Sequence, residues 1–333
     1  MQTDRRKRKK IAYICQNVEV DMPSYRKRAL NAVKEALPGA WKTSLWLIKI
    51  TVLISLVILF LRYTGILYEL SNLLSPVFQV VGLPGEAALA YVTGYFVNVY
   101  SAVAVMGTLS LDFRAITILG VMVLCSHNIV TETAIQKKTG SSALRIVLIR
   151  TLSAFLLGFI LHRLMPAGGG VVEAAAPLAK DQVSIKVLFT EWFWSTLALV
   201  AKMTILIFSL SVLQRLLSEL GVIHWIAKFL KPVMLFFGMP AKSAFLWIVA
   251  NILGLSYGAA VMIEEAERGK INKQDADLLN HHISISHSNL EDVILLMSVG
   301  GLAWWLLLPR WALSFLLVWE LRLERWIRGR IIS

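Results

Sequence analysis

The chain has 333 residues, 57% of them hydrophobic, with a mean hydropathy of +0.65 and a formal net charge of +13. Hydrophobicity at that level, gathered into long runs, excludes a soluble globular protein of this length. The positive charge does not indicate a nucleic-acid partner, because the basic residues sit mainly at the two ends, "RRKRKK" (5–10) and "LRLERWIRGR" (321–330), as cytoplasmic flanks facing anionic lipid do.

In chain order, residues 1–42 read as a basic cytoplasmic tail in which "SYRKRALNAVKEAL" (24–37) has the spacing of an amphipathic helix lying on the membrane surface. The first span is "LWLIKITVLISLVILFL" (45–61), and further apolar stretches occupy 86–107, 116–131, 143–161, 190–212, 243–262 and 293–319. Each is near the ~20 residues a helix needs to cross the hydrocarbon, which predicts an all-α polytopic membrane protein rather than a barrel. The linker 164–189 carries only Lys180 and Lys186 and suits a non-cytoplasmic loop, while 321–333 returns as a cytoplasmic basic tail. The cysteines are Cys15 in the basic tail and Cys125 inside a span, so neither a structural disulfide nor a thiolate zinc motif is expected. No cofactor is implied. The lipid bilayer, of the bacterial inner or plasma type, is the expected partner, with a homo-oligomer left open.

Two segments repeat. "LSPVFQVVGLPGEAALAYVTGYFVNVYSAVAVM" (74–106) aligns without a gap to "LKPVMLFFGMPAKSAFLWIVANILGLSYGAAVM" (230–262), pairing Pro76 with Pro232, Gly82 with Gly238 and Pro84 with Pro240. Downstream, Ser126 and His127 match Ser286 and His287, Gly140 matches Gly300, and Arg150 matches Arg310. The chain is therefore read as two tandem repeats, 43–163 and 190–320. Their orientation follows from lysine and arginine placement. After its first long helix, copy one carries only Arg62, whereas copy two carries Arg215, Lys228, Lys231 and Lys242; Lys137, Lys138 and Arg145 have no basic counterpart in 296–305. Matching connectors then face opposite sides, which predicts an inverted repeat with three full crossings per copy and both termini cytoplasmic. A fourth apolar stretch in each copy is expected to be broken or re-entrant, and it is assigned to the one holding "SHNIVTET" (126–133). The Gly-Pro breaks at 82–85 and 238–240 end half-length segments, and such irregular backbone at membrane depth is tolerated only where protein or a water-filled cavity satisfies it.

Polar residues gather at these breaks. In copy one they are Asn98, Tyr100, Ser101, Ser126, His127, Asn128 and Glu132; in copy two, Asn251, Tyr257, His282, Ser286, His287, Ser288, Asn289, Glu291 and Asp292. An ionisable group inside a span costs at least ~2.5 kcal/mol on insertion scales and is usually paired or lines a pathway. A structural reading has the histidines satisfying carbonyls freed by the breaks; the functional reading has two histidines in register meeting near one midplane locus. Arg150 and Arg310 read as structural, snorkelling or pairing with Glu132 or Asp292. The stretch "EEAERGKINKQDAD" (264–277) reads as a solvated loop.

The paired "SHNIVTET" and "SHSNLEDVILL" (286–296) signatures, the proline-glycine break before each and the two copies per chain resemble the nucleoside recognition, or Gate, domain membrane proteins. That group includes spore maturation proteins A and B and segments of ferrous-iron transporter B and of concentrative nucleoside transporters. The resemblance covers 43–320 and implies a permease that binds a small polar solute, nucleoside-like in some members, between the halves, rather than an enzyme. A divalent metal-ion permease using His127, His287, Glu132, Glu291 or Asp292 and Cys125 is the main alternative; an assembly factor or membrane enzyme without cargo is another. No G-x-S-x-G, H-E-x-x-H or P-loop pattern is present. Glu132 follows His127 by five, whereas Glu291 follows His287 by four and Asp292 by five, so spacing leaves open which acid of copy two corresponds to Glu132.

Overall fold

Breaks in helices, more than loops between them, organise this chain. The computed structural model describes residues 25–166, 185–267 and 271–332. The first half comprises α1 (Tyr25–Tyr63), α2 (Ile66–Gln79), α3 (Ala87–Phe96), α4 (Val99–Met106), α5 (Phe113–Ser126), α6 (Ile129–Lys138) and α7 (Ala143–Leu164). The second comprises α8 (Ile185–Glu219), α9 (Val222–Phe236), a 3-10 turn (Ala241–Ser243), α10 (Ala244–Ile252), α11 (Leu255–Glu267), α12 (Lys273–Ser286), α13 (Glu291–Met297) and α14 (Ala303–Ile332). Lys27–Leu61, Phe113–Lys138, Ala143–Leu164 and Ile185–Glu219 are each long and apolar enough to cross a membrane, so this is an integral membrane protein. Most of residues 1–42 and of the 164–189 linker, including Cys15, lie outside the described residues.

Local geometry recurs between the halves. Left-handed backbone occurs at Gly82 and Gly238 (φ 71° and 74°), at Asn128 and Ser288 (φ 48° and 53°), and at Gly140 and Gly300 (both φ 114°). Equivalent first helices α1 and α8 pack antiparallel. Arg28, near the start of α1, meets Glu219 at the end of α8 at 3.4 Å; Glu35 pairs with Arg215; Ser55, further along α1, accepts from Trp192 near the start of α8 at 3.1 Å.

Two expectations change here. The 24–37 segment is not a separate surface helix: it runs without interruption into the first span, because Ala32, Ala36 and Ala40 form a buried small-residue stripe beside those ion pairs to α8. The stretch carrying the histidine motif is broken, as expected, between Ser126 and Ile129, and each half holds a second interruption nearby. α3 folds back on α4, with Gly94 so close to Ala102 that a Cβ there would sit 3.0 Å from the alanine Cβ, and a Cβ on Gly258 of α11 would likewise sit 3.3 Å from Ala250 Cα of α10. Small residues let two short helices lie side by side as a hairpin. The histidine motif interrupts the apolar span Phe113–Lys138, between α5 and α6. The 264–277 stretch likewise is mostly helical: α11 reaches Glu267, and Asn272 caps α12 by accepting the Asp275 amide at 2.8 Å.

The breaks are tied to the hairpins and to two arginines. The Asn128 amide donates to Gly94 O at 3.0 Å, and the Ser288 and Leu290 amides donate to Ala250 O and Asn251 O at 3.1 and 3.2 Å. Arg150 of α7 donates from Nε to Cys125 O at 2.9 Å and from Nη2 to His127 O at 2.7 Å. Arg310 of α14 repeats this on Ile285 O at 2.6 Å and His287 O at 2.8 Å. Both guanidiniums are wholly buried, and their planar forks match two carbonyls as an ammonium cannot.

Replacing Arg310 by methionine strands the Ile285 and His287 carbonyls, at about 1–3 kcal/mol for each buried acceptor. Thermal unfolding in detergent should show a large loss for Arg310→Met and only a partial recovery for Arg310→Lys. Unchanged stability in the methionine variant would mean the breaks are held by something else.

Candidate functional site

His127 and His287 are the residues at which α5 and α12 stop, each extended (ψ 156° and 176°) just before the left-handed residue that redirects the chain. Each ring turns Nδ1 back on its own helix, 3.2 Å from Val123 O for His127 and 2.7 Å from Ile283 O for His287. A carbonyl only accepts, so Nδ1 carries the proton there. In the neutral ring Nε2 is then a lone pair. The two Nε2 atoms face each other at 3.3 Å, with the rings tilted 38°.

The carboxylates enter from the helices that follow. Glu132, on α6, lies 3.2 Å from both His127 Nε2 and His287 Nε2, while Asp292, on α13, lies 3.4 Å from His127 Nε2. Each histidine thus meets the carboxylate of the other half. Glu132 Oε2 also forms an ion pair with Arg150 Nη2 at 2.7 Å, and among the described residues neither Glu132 Oε2 nor Asp292 Oδ2 receives a hydrogen bond. None of the four is more than 5% exposed. Two lone pairs and two carboxylates are all acceptors, and acceptors gathered out of water repel unless a cation or proton lies between them.

The spacing suits a metal ion. Bonds of about 2.0–2.2 Å to nitrogen and oxygen put tetrahedral ligands roughly 3.3–3.5 Å apart, and the centre shows 3.2–3.4 Å. Ligand atoms of His127, His287 and Asp292 all lie within 4.8 Å of one another, a set that could hold one ion. The Nδ1–carbonyl contacts supply the outer hydrogen bond that usually orients a ligating histidine.

Other residues expected at the site frame it. Glu291 turns away, accepting from the Tyr100 hydroxyl and from Gln214 Nε2 at 2.9 Å, so Asp292 is the geometric counterpart of Glu132. Asn98 caps α4 by accepting the Ser101 amide at 2.8 Å, and Ser101 Oγ is buried without a partner. Ser126 donates to Met122 O at 2.9 Å and Ser286 to His282 O at 2.7 Å. The Asn289 amide donates to Asn251 Oδ1, and Arg310 Nη1 holds Asn289 Oδ1 at 3.2 Å. Asn128 and Ser288 contribute backbone shape. His282 accepts from Trp247 Nε1 at 3.2 Å, away from the centre. Cys125 is buried, but its thiol is not part of the ligand-capable group. The Tyr257 side chain lies outside the described residues. Sequence reasoning did not single out Gln214, Thr133, Gln136, Asn280 or His281; for Gln136 the available signal was its i+4 position relative to Glu132 on one helix.

Residues 44–166 match the family model described as Gate: Nucleoside recognition, a transport-associated family rather than an enzyme class. The chain is 27% identical over 285 residues to the uncharacterized membrane protein YvoD of Bacillus subtilis (strain 168), an alignment covering 84% of this chain and 91% of that protein. No solved structure matches. This integral membrane protein is thus similar, over residues 44–166, to the nucleoside recognition (Gate) family.

Proposed function

We propose that this chain is a permease for a divalent metal ion, bound between two inverted copies, 43–163 and 190–320, by His127, His287 and Asp292 with Glu132 beside them. The observation that carries the reading is the convergence of two Nε2 lone pairs at 3.3 Å, each fixed by an Nδ1–carbonyl contact, onto a carboxylate without a donor. Separations of 3.2–3.4 Å between these groups leave no room for a nucleoside among them, so the ion is favoured over a larger polar solute. The antiparallel packing of α1 on α8 supports inversion, as does the opposite placement of lysines and arginines at matching connectors. Alternating access then comes from rocking of the halves about a fixed midplane site, with the ligands changing partners little. The ion displaces whatever proton the centre holds, because only neutral imidazole and ionised carboxylate ligate.

Purified protein titrated with Co²⁺ should give the visible absorption of a tetrahedral N/O site, one ion per chain, competed by Zn²⁺. His127→Ala and His287→Ala should each weaken binding by about 100-fold or more, while Cys125→Ala leaves it unchanged. Affinity should fall as pH is lowered, because protons compete with the ion for imidazole and carboxylate. If nucleosides rather than ions raise the melting temperature, and the double histidine variant loses that response, the solute reading replaces this one.

Inversion, with both termini cytoplasmic, has its own check. In a background lacking Cys15 and Cys125, Lys138→Cys and Ala175→Cys should react with an impermeant thiol reagent from opposite faces. Reaction from the same face would reject the inverted arrangement.

A further inference from the structure

A line of buried polar side chains runs from the histidine centre toward one face only. One turn beyond Glu132 on α6 lies Gln136, with Thr133 before it on the same helix; Asn280 of α12 meets Gln136, and His281 follows Asn280 on α12. Thr133 is 6% exposed, and Gln136, Asn280 and His281 are wholly buried. Thr133 Oγ1, both amide atoms of Gln136, Asn280 Oδ1 and His281 Nε2 have no hydrogen-bond partner. Buried polar atoms are nearly always satisfied, and a cluster of orphans in one place marks where water or a ligand belongs. The line continues outward. Asn280 Nδ2 donates to Gln136 O at 3.2 Å and to Ser141 Oγ at 2.9 Å; Ser141 donates to Asp277 at 2.5 Å; and partly exposed Asp277 pairs with Arg325 at 2.6 Å. This face carries Lys137, Lys138 and Arg325.

The matching positions on the other side of the centre are apolar. Val293 stands for Thr133, Leu296 for Gln136, Gly120 for Asn280 and Val121 for His281, and the three side chains are 3% exposed or less. The packing there is close: a Cβ on Gly120 would lie 3.0 Å from Leu306 and 3.3 Å from Leu296.

We propose that Thr133, Gln136, Asn280 and His281 line a hydrated half-path by which a divalent cation, with its water, moves between the histidine centre and the basic face, and that Val293, Leu296 and Gly120 seal the opposite half. The cargo named here rests on the metal-permease reading; the one-sided hydration does not. Neutral oxygens and an imidazole suit this role, since they replace part of a hydration shell without trapping the ion as a further carboxylate would.

The test uses full-length protein in membrane vesicles of both orientations, in a background without Cys15 and Cys125. Gln136→Cys and Asn280→Cys should react with a small impermeant thiosulfonate from the basic face, about tenfold or more faster than Val293→Cys and Leu296→Cys, since a thiol out of water forms little thiolate. Equal rates at all four positions, or reaction of 136 and 280 only from the opposite face, would overturn the half-path. Because no cargo is added, that result stands whatever the Co²⁺ titration gives. Thr133→Cys replaces either variant if it fails to fold. In reconstituted vesicles, Gln136→Leu should keep Co²⁺ binding within about threefold yet slow Co²⁺ uptake about tenfold or more, as a desolvation barrier of over a kcal/mol requires. Wild-type uptake in that variant would remove the cation from the path, and absence of binding in the wild type would count against the metal centre instead.

Discussion

Two buried arginines make the rest of this structure workable. A helix interrupted inside a membrane frees carbonyls and amides with no water to receive them, and each such group costs several kcal/mol if left alone. Arg150 and Arg310 each take two of those carbonyls, one of them belonging to the histidine itself. The amides on the far side of the breaks are taken by the hairpins, through Gly94, Ala250 and Asn251. The histidine backbone is therefore held from two directions, which lets the imidazoles be placed within ångströms of each other rather than left to rotate.

That rigidity explains how an unfavourable set of side chains persists at the centre. Both arginines give their hydrogen bonds to backbone carbonyls, but Arg150 also forms an ion pair with Glu132 at 2.7 Å, whereas Arg310 turns its remaining donor to Asn289. The two halves share a backbone frame and differ in how the charge is answered. A centre whose acceptors outnumber its donors attracts a cation without any conformational change in the ligands.

Much of this was legible in the sequence because the repeat is written in residues with strong backbone meaning. Glycines at 82 and 238 and at 140 and 300 carry positive φ, so their register is the register of the fold. The histidines and the matched arginines were visible on the same ground. What hydropathy could not distinguish was a hairpin from a bent crossing, because α3–α4 and α5–α6 are both apolar stretches interrupted once; the distinction lies in Gly94 against Ala102, a packing fact. Nor could spacing choose between Glu291 and Asp292, since the turn before α13 sets which of two adjacent acids points inward. Asp277 was assigned to a loop because its charged neighbours suggested solvent, whereas Asn272 begins a helix there.

The departures from symmetry bear on how transport would work. Had both flanks of the centre been polar, the protein would form a continuous conduit across the bilayer; had both been apolar, no ion would reach the site. With one polar flank and one packed flank, an ion bound at the centre would be in contact with only one side in this conformation. A bare divalent ion cannot cross Val293 and Leu296, where even a single charge is costly. Close packing at Gly120 makes gradual loosening of that seal unfavourable, because interiors at this density shift between discrete arrangements rather than deform continuously.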